Sequence, residues 1–218
     1  MSADHEPPWA MQLAVRAEKA TPPTHGAVCE AAAMAVVALL ADPRTTDGEW
    51  HEAVRHWESG PIRKVARRAR GARWQAVQNL PGVTVDHAGA QVRVFVPGQV
   101  TDVPDELARL QVAGLELDDA EEPTPRPAPP YAAIALNPRA TMSTGKAAAQ
   151  SGHAAHLLLR EGGEPARGAW LAAGLAVHLE RDTPWEDCVG HADVAVRDAG
   201  FTEVPPGTMT ALAWIVSG

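Results

Sequence analysis

The chain has 218 residues and a formal net charge of −8, with 45% hydrophobic and 21% charged residues. That balance fits one large or two small domains with a packed core. It argues against a protein that holds nucleic acid by bulk attraction, although a local basic surface still acts within about 8–10 Å at physiological salt.

The opening "MSADHEPPW" is acidic and proline-bearing, unlike a signal peptide. "MQLAVRAE" alternates as a strand, and an alanine-rich helix is expected after the proline-containing loop that follows. The longest uncharged apolar run, Ala31 to Ala41, is about half of the roughly 20 residues a bilayer span needs, so a soluble protein with no membrane partner is expected. Cys29 and Cys188 lie far apart and outside metal-ligand spacing, which points to a reducing cytoplasm and no disulfide framework.

Trp57 and Gly60 precede "PIRKVARRA". Placed on a helix, "IRKVARRARGARW" aligns positions 63, 67, 70 and 74 on one face. Arg63, Lys64, Arg67, Arg70 and Arg73 are therefore candidate RNA-binding residues, able to neutralise phosphates despite the acidic total. The alternative is a solvated helix paired with neighbouring acids. "GVTVDH" and "AQVRVFV" predict a hairpin turning at Ala88-Gly89.

"DDAEEPTPRPAPP" marks a composition shift, an extended, solvated proline/acidic linker over 119–130. It separates a lobe over 9–118 from a lobe over 131–218. Gln12–Leu40 slides onto Tyr131–Leu159 without a gap, matching Gly26 to Gly145 and the leucines 39 and 40 to 158 and 159. Trp170 and Gly174 precede "LAVHLE" as Trp57 and Gly60 precede "PIRKVARRA", and "DVAVRD" and "MTALAWIV" stand where the first hairpin does. Strands alternating with helices predict an α/β (α+β) fold of two similar lobes, each a small mixed sheet covered by helices.

The second half carries the chemistry. A helix starting near Ser143 places Lys146, Gln150 and His153 at i, i+4 and i+7 on one face, while Ala148, Gly152, Ala155 and Leu159 form a packing stripe. His153 and His156 have no evident third ligand nearby, so a zinc site is not supported. A phosphate loop fails at Ala140 and Ala147, where glycine and Ser or Thr belong. Further on, Asp198 closes a strand, Gly200 frees the backbone, and Thr202, Thr208 and Thr210 follow around the turn at Pro205-Pro206-Gly207.

Together "MSTGKAAAQSGHA" and "RDAGFTEVPPGTMT" resemble the type 2 peptidyl-tRNA hydrolases of archaea and eukaryotes, over about Tyr131 to Val216. The resemblance implies a mixed four-stranded sheet with helices on both faces, usually dimeric. It implies catalytic roles for Lys146, Asp198, Thr202 and Thr210, supported by Gln150, His153 and Thr208. The implied reaction is hydrolysis of the ester between a peptide and the tRNA 3′ ribose at the acceptor end, with no metal and no cofactor.

Where the family commonly carries an acid and two further lysines, this chain has "RATM" and Thr144. In the first half, Ala27, Ala31 and Met34 occupy the positions of Lys146, Gln150 and His153. That half is expected to be a degenerate copy that replaces the second subunit, giving a monomer with an internal pseudo-dimer. A non-catalytic tRNA- or ribosome-binding module is the alternative reading, and hydrolysis of another acyl ester or amide is a third.

Overall fold

The computed structural model describes residues 7–119, 123–200 and 203–218. The first half runs β1 (Trp9–Arg16), α1 (His25–Leu40), α2 (Pro43–Thr46), α3 (His51–Glu58), β2 (Lys64–Ala69), α4 (Gly71–Val77), β3 (Gly82–His87), β4 (Ala90–Phe95), β5 (Gly98–Gln99) and α5 (Asp105–Ala108). The second runs β6 (Tyr131–Leu136), α6 (Thr144–Glu161), α7 (Ala166–Ala172), β7 (Val177–Glu180), α8 (Trp185–His191), β8 (Val194–Arg197) and β9 (Met209–Val216).

The two sheets share one topology. β1 pairs in parallel with β2 and antiparallel with β4, which pairs antiparallel with β3. β6 repeats this with β7, β9 and β8 in turn. The parallel pairs need a crossover, supplied by α1 in one half and α6 in the other. The second sheet has the expected four strands; the first gains a fifth, because Gly98 and Gln99 pair with Ala10 and Trp9 at the start of β1. Ala88 and Gly89 take positive φ values of 49° and 81° at the β3–β4 turn, the conformation a two-residue hairpin requires.

Equivalent ladder positions refine the ungapped alignment of the halves. Leu13 and Ile134 each face a β4 or β9 partner in matching register, and Thr24 and Ser143 each cap the following helix. Eleven residues separate Leu13 from Thr24 and nine separate Ile134 from Ser143, so the first half's β–α connection is longer by two. The ungapped match therefore holds for the helices, and the strands are shifted by two.

The core is layered. Met11, Leu13 and Val15 of β1 and Val92 and Val94 of β4 face α1, and Ala132, Ile134, Ala211 and Ala213 of the second sheet face α6. The alternate residues Ala14 and Phe95 pack under α4 and α5, and Ala135 and Leu212 under α8. α1 and α6 pack side by side between the sheets, and each also touches the other half's sheet, α1 at β7 and α6 at β2. This explains why α1 is apolar nearly all round, as a helix buried on every side must be. Small residues let the pair approach closely: a Cβ on Gly152 would lie 2.9 Å from Val36 Cγ2.

The linker is tied down at several described points. His25 N–H donates to Asp118 O at 2.9 Å, Arg181 pairs with Asp119 at 2.7 Å, and Thr124 Oγ1 donates to buried Glu30 at 2.7 Å. No helix among the described residues is long and apolar enough to cross a membrane.

Candidate active site

Ser143 caps α6 by accepting from Lys146 N–H at 3.1 Å, which fixes the first turn and the base of the Lys146 side chain. Ser143 is itself gripped by Glu203, whose carboxylate accepts from Ser143 N–H and Oγ at 2.7 Å each. Asp198 arrives from the opposite side, just past the end of β8. Its backbone is pinned in a narrow loop, N–H donating to Thr208 O at 2.9 Å and O accepting from Gly207 N–H at 2.7 Å.

The helix and the loop meet at the Asp198 carboxylate. Lys146 Nζ forms an ion pair with Oδ2, Gln150 Nε2 donates to the same oxygen at 2.8 Å, and Gly200 N–H donates to Oδ1 at 2.8 Å. Thr210 Oγ1, fully buried on β9, donates to Gln150 Oε1 at 2.9 Å and so orients the amide that holds the carboxylate. Asn137 holds the start of β9 from beneath, its side-chain amide donating to Met209 O at 2.7 Å. Gly200 is required twice over: it has φ +79°, and a Cβ there would overlap the Pro206 ring.

Burial alone would raise the Asp198 pKa, yet it lies below the ordinary carboxylate value because Lys146, the Gly200 N–H and Gln150 all favour the anion. Asp198 is thus a fixed charge that orients its neighbours, and a weak proton acceptor. The side chains of Lys146 and Asp198 are 12% and 8% exposed, so the pair forms a nearly dry electrostatic centre at the surface.

The other sequence-predicted residues fall differently. Thr208 is turned away, its hydroxyl donating to Pro205 O at 2.7 Å within the turn. His153 lies one helical turn past Gln150, beside His156 at a ring separation of 6.5 Å. Burial, with Lys64, His156 and Lys146 nearby, holds it neutral and pushes its pKa down to about 2. Thr202 lies outside the described residues. Glu203 and Asn137 were not singled out from sequence; the one available signal for Glu203 was an acid in the same loop as Thr208. Among the described residues no group of three or more His, Cys, Asp or Glu is arranged to hold a metal ion.

The arginine stripe needs correcting. Residues 64–69 form β2 and only 71–77 are helical, so positions 63, 67, 70 and 74 do not share a helical face. Pairing with β1 sets this segment, and its side chains alternate between two layers. Lys64 turns toward α6, and Arg67 turns the other way to Gln12 at 2.8 Å and Leu110 O at 3.2 Å. Arg63 is half-buried ahead of the strand, and Trp74 is buried in the core under α4 and α5. Arg70 and Arg73 remain exposed and, with Arg68, line a cavity of about 270 Å³.

A peptidyl-tRNA hydrolase of Pyrobaculum aerophilum is 37% identical over 93 residues, covering 36% of this chain and 78% of that protein. The chain belongs to the peptidyl-tRNA hydrolase family. No family model matches it, and no solved structure matches it. Membership of the peptidyl-tRNA hydrolase family therefore rests on a stretch short enough to fit within a single sheet-bearing half.

Proposed function

We propose that this chain hydrolyses the ester joining a peptide, or an N-blocked aminoacyl group, to the 3′ ribose of tRNA. The observation that carries the reading is the meeting of Lys146 and Gln150 of α6 on one carboxylate, Asp198, in a member of this family. In the proposed reaction a water oxygen bonds to the ester carbonyl carbon, and the C–O bond to the ribose breaks. A carboxylic acid and a free tRNA 3′ hydroxyl result. Lys146 stabilises the negative charge that builds on the carbonyl oxygen, a preorganised contribution of about 3–4 kcal/mol for a single donor. Asp198 holds Lys146 in place and orients the water, and Gln150 and Thr210 hold Asp198.

The first half is read as the counterpart of a second subunit. Its sheet has the same topology, while Ala27, Ala31 and Met34 replace the site residues at matching helix positions. A solution mass of one chain is expected, and a mass of two would remove this part of the reading. Arg70 and Arg73 form the part of the arginine set still available to phosphates.

The test is release of N-acetyl-aminoacyl groups from tRNA by the purified protein, beside Lys146→Met and Asp198→Asn. Each substitution is expected to lower turnover by about 100-fold or more while circular dichroism stays native. Wild-type tRNA binding without any release would favour the non-catalytic tRNA-binding alternative. Equal activity in all three proteins would refute the assignment.

A further inference from the structure

A second set of polar side chains crosses between the halves away from Asp198. His156, on α6 and fully buried, has Nε2 2.7 Å from Glu58 Oε1 at the end of α3 and Nδ1 3.2 Å from Lys64 Nζ at the start of β2. Trp57 stacks on the imidazole, with centroids 5.2 Å apart and planes 17° apart, and Lys64 Nζ lies 4.8 Å from the centre of that indole. The lysine stem runs past Gly152 of α6 at ordinary packing distance, a Cβ there lying 3.6 Å from Lys64 Cδ.

The hydrogen bonds fix the imidazole tautomer. Ionised Glu58 only accepts, so Nε2 carries the proton and Nδ1 turns a lone pair toward Lys64. The lysine nitrogen therefore meets a lone pair and an aromatic face, and among the described residues it pairs with no carboxylate. Both partners accept an ammonium and neither requires one. The charged and titratable groups around it are Glu58 on α3 and His153, His156 and Arg160 on α6. Burial, aided by Arg160 and opposed by Glu58, pushes the Lys64 pKa down to about 7. The choice of residue fits: only three of the nineteen basic residues are lysine, at 19, 64 and 146. Arginine cannot lose its proton, so lysine is the cation that can become a nucleophile in this seat.

We propose that Lys64 is a nucleophilic amine that captures aldehydes as imines, with His156 as its proton acceptor and Glu58 fixing the imidazole. The nitrogen lone pair forms a bond to the carbonyl carbon while the C=O π pair moves to oxygen. One N–H proton passes to His156 Nδ1 and on to that oxygen, giving a carbinolamine. The second N–H proton follows the same route to the hydroxyl, which departs as water and leaves the imine. Amine and aldehyde thus give imine and one water, with no further reactant.

The experiment is brief reductive methylation of the whole chain with formaldehyde and cyanoborohydride between pH 6 and 9, followed by peptide mapping, with Lys19 as the internal standard. At pH 7 an amine titrating near 7 is about half neutral, on the order of a thousandfold more than an ordinary lysine. Half-burial reduces this advantage, and labelling of Lys64 at least about tenfold faster than Lys19 is expected. The Lys64 rate should level off above about pH 7 while that of Lys19 keeps rising. His156→Gln should slow Lys64 labelling and leave Lys19 unchanged; if that variant does not fold, Glu58→Gln is read the same way. Lys64 labelled no faster than Lys19, or labelled only in urea, overturns the proposal. Fast labelling that neither variant alters overturns the assigned role of His156. None of these readings depends on the ester-hydrolysis assignment.

Discussion

Glu30 offers a quantitative test of how the two halves are held together. It lies on α1, 1% exposed, and accepts from His87 Nε2 at 2.8 Å on β3, Thr124 Oγ1 at 2.7 Å in the linker and Leu179 N–H at 2.7 Å on β7. Burial opposes its charge, but His178, His87, the Leu179 N–H and Thr124 outweigh that and lower its pKa from 4.5 to about 2. At about 1.4 kcal/mol per pH unit, the folded chain favours the charged carboxylate over the neutral acid by about 3 kcal/mol. Glu30→Gln mimics the neutral acid and should therefore cost about 3 kcal/mol at pH 7, or about 6–12 °C in melting temperature for a chain of this size. The sign follows from the depressed pKa: the contribution is complete above the unfolded value of 4.5 and is lost as pH falls toward about 2. Urea unfolding of both proteins from pH 7 to pH 3.5 reads this directly. The stability gap should be constant down to about pH 4.5 and narrow below it. A gap under about 1 kcal/mol at pH 7, or one that does not move with pH, would refute the reasoning.

Gly200→Ala should destabilise the chain by about 1–3 kcal/mol, because φ +79° and the Pro206 ring both oppose a Cβ. It should also lower turnover by displacing the N–H that holds Asp198, and an unchanged melt would count against the loop geometry. Thr210→Val keeps the shape but leaves Gln150 Oε1 without its buried donor, with an expected loss of about 1–3 kcal/mol. Its effect on turnover should fall on kcat more than on KM, which steady-state kinetics will separate. Arg70→Ala with Arg73→Ala should weaken tRNA binding and reduce the salt slope by about 2, whereas Arg67→Ala, turned into the fold, should leave the slope unchanged; filter binding across a salt series checks both.

The site was readable where local chemistry carried it. Ser143 is a favourable N-cap, and helical spacing alone puts Lys146 and Gln150 on one face, so both reach Asp198 once β8 and β9 pair. The arginine segment was misread for the opposite reason. Val65, Ala66 and Ala69 give little alternation, and the strand exists because β1 offers a parallel edge and α6 covers one face. The motif histidine pair shows the same limit. Sequence spacing supports no zinc site for His153 and His156 and assigns no other role to His156, because its partners Lys64 and Glu58 come from the other half and only the folded arrangement joins them. The equal topology of the sheets was visible as matched strands and tryptophans. Trp57 Nε1 donates to Arg63 O at 3.2 Å and Trp170 Nε1 to Ala176 O at 2.8 Å, one residue before β2 and β7 respectively.

The packing of α1 against α6 constrains the first half as tightly as the half that carries Lys146 and Asp198. Ala27 and Ala31 have no charge to deliver, yet both are buried in the core that α1 shares with β1 and β4, where added bulk has no room. Tolerance to substitution along α1 should therefore track side-chain volume, in a helix that contributes no reacting atom of its own.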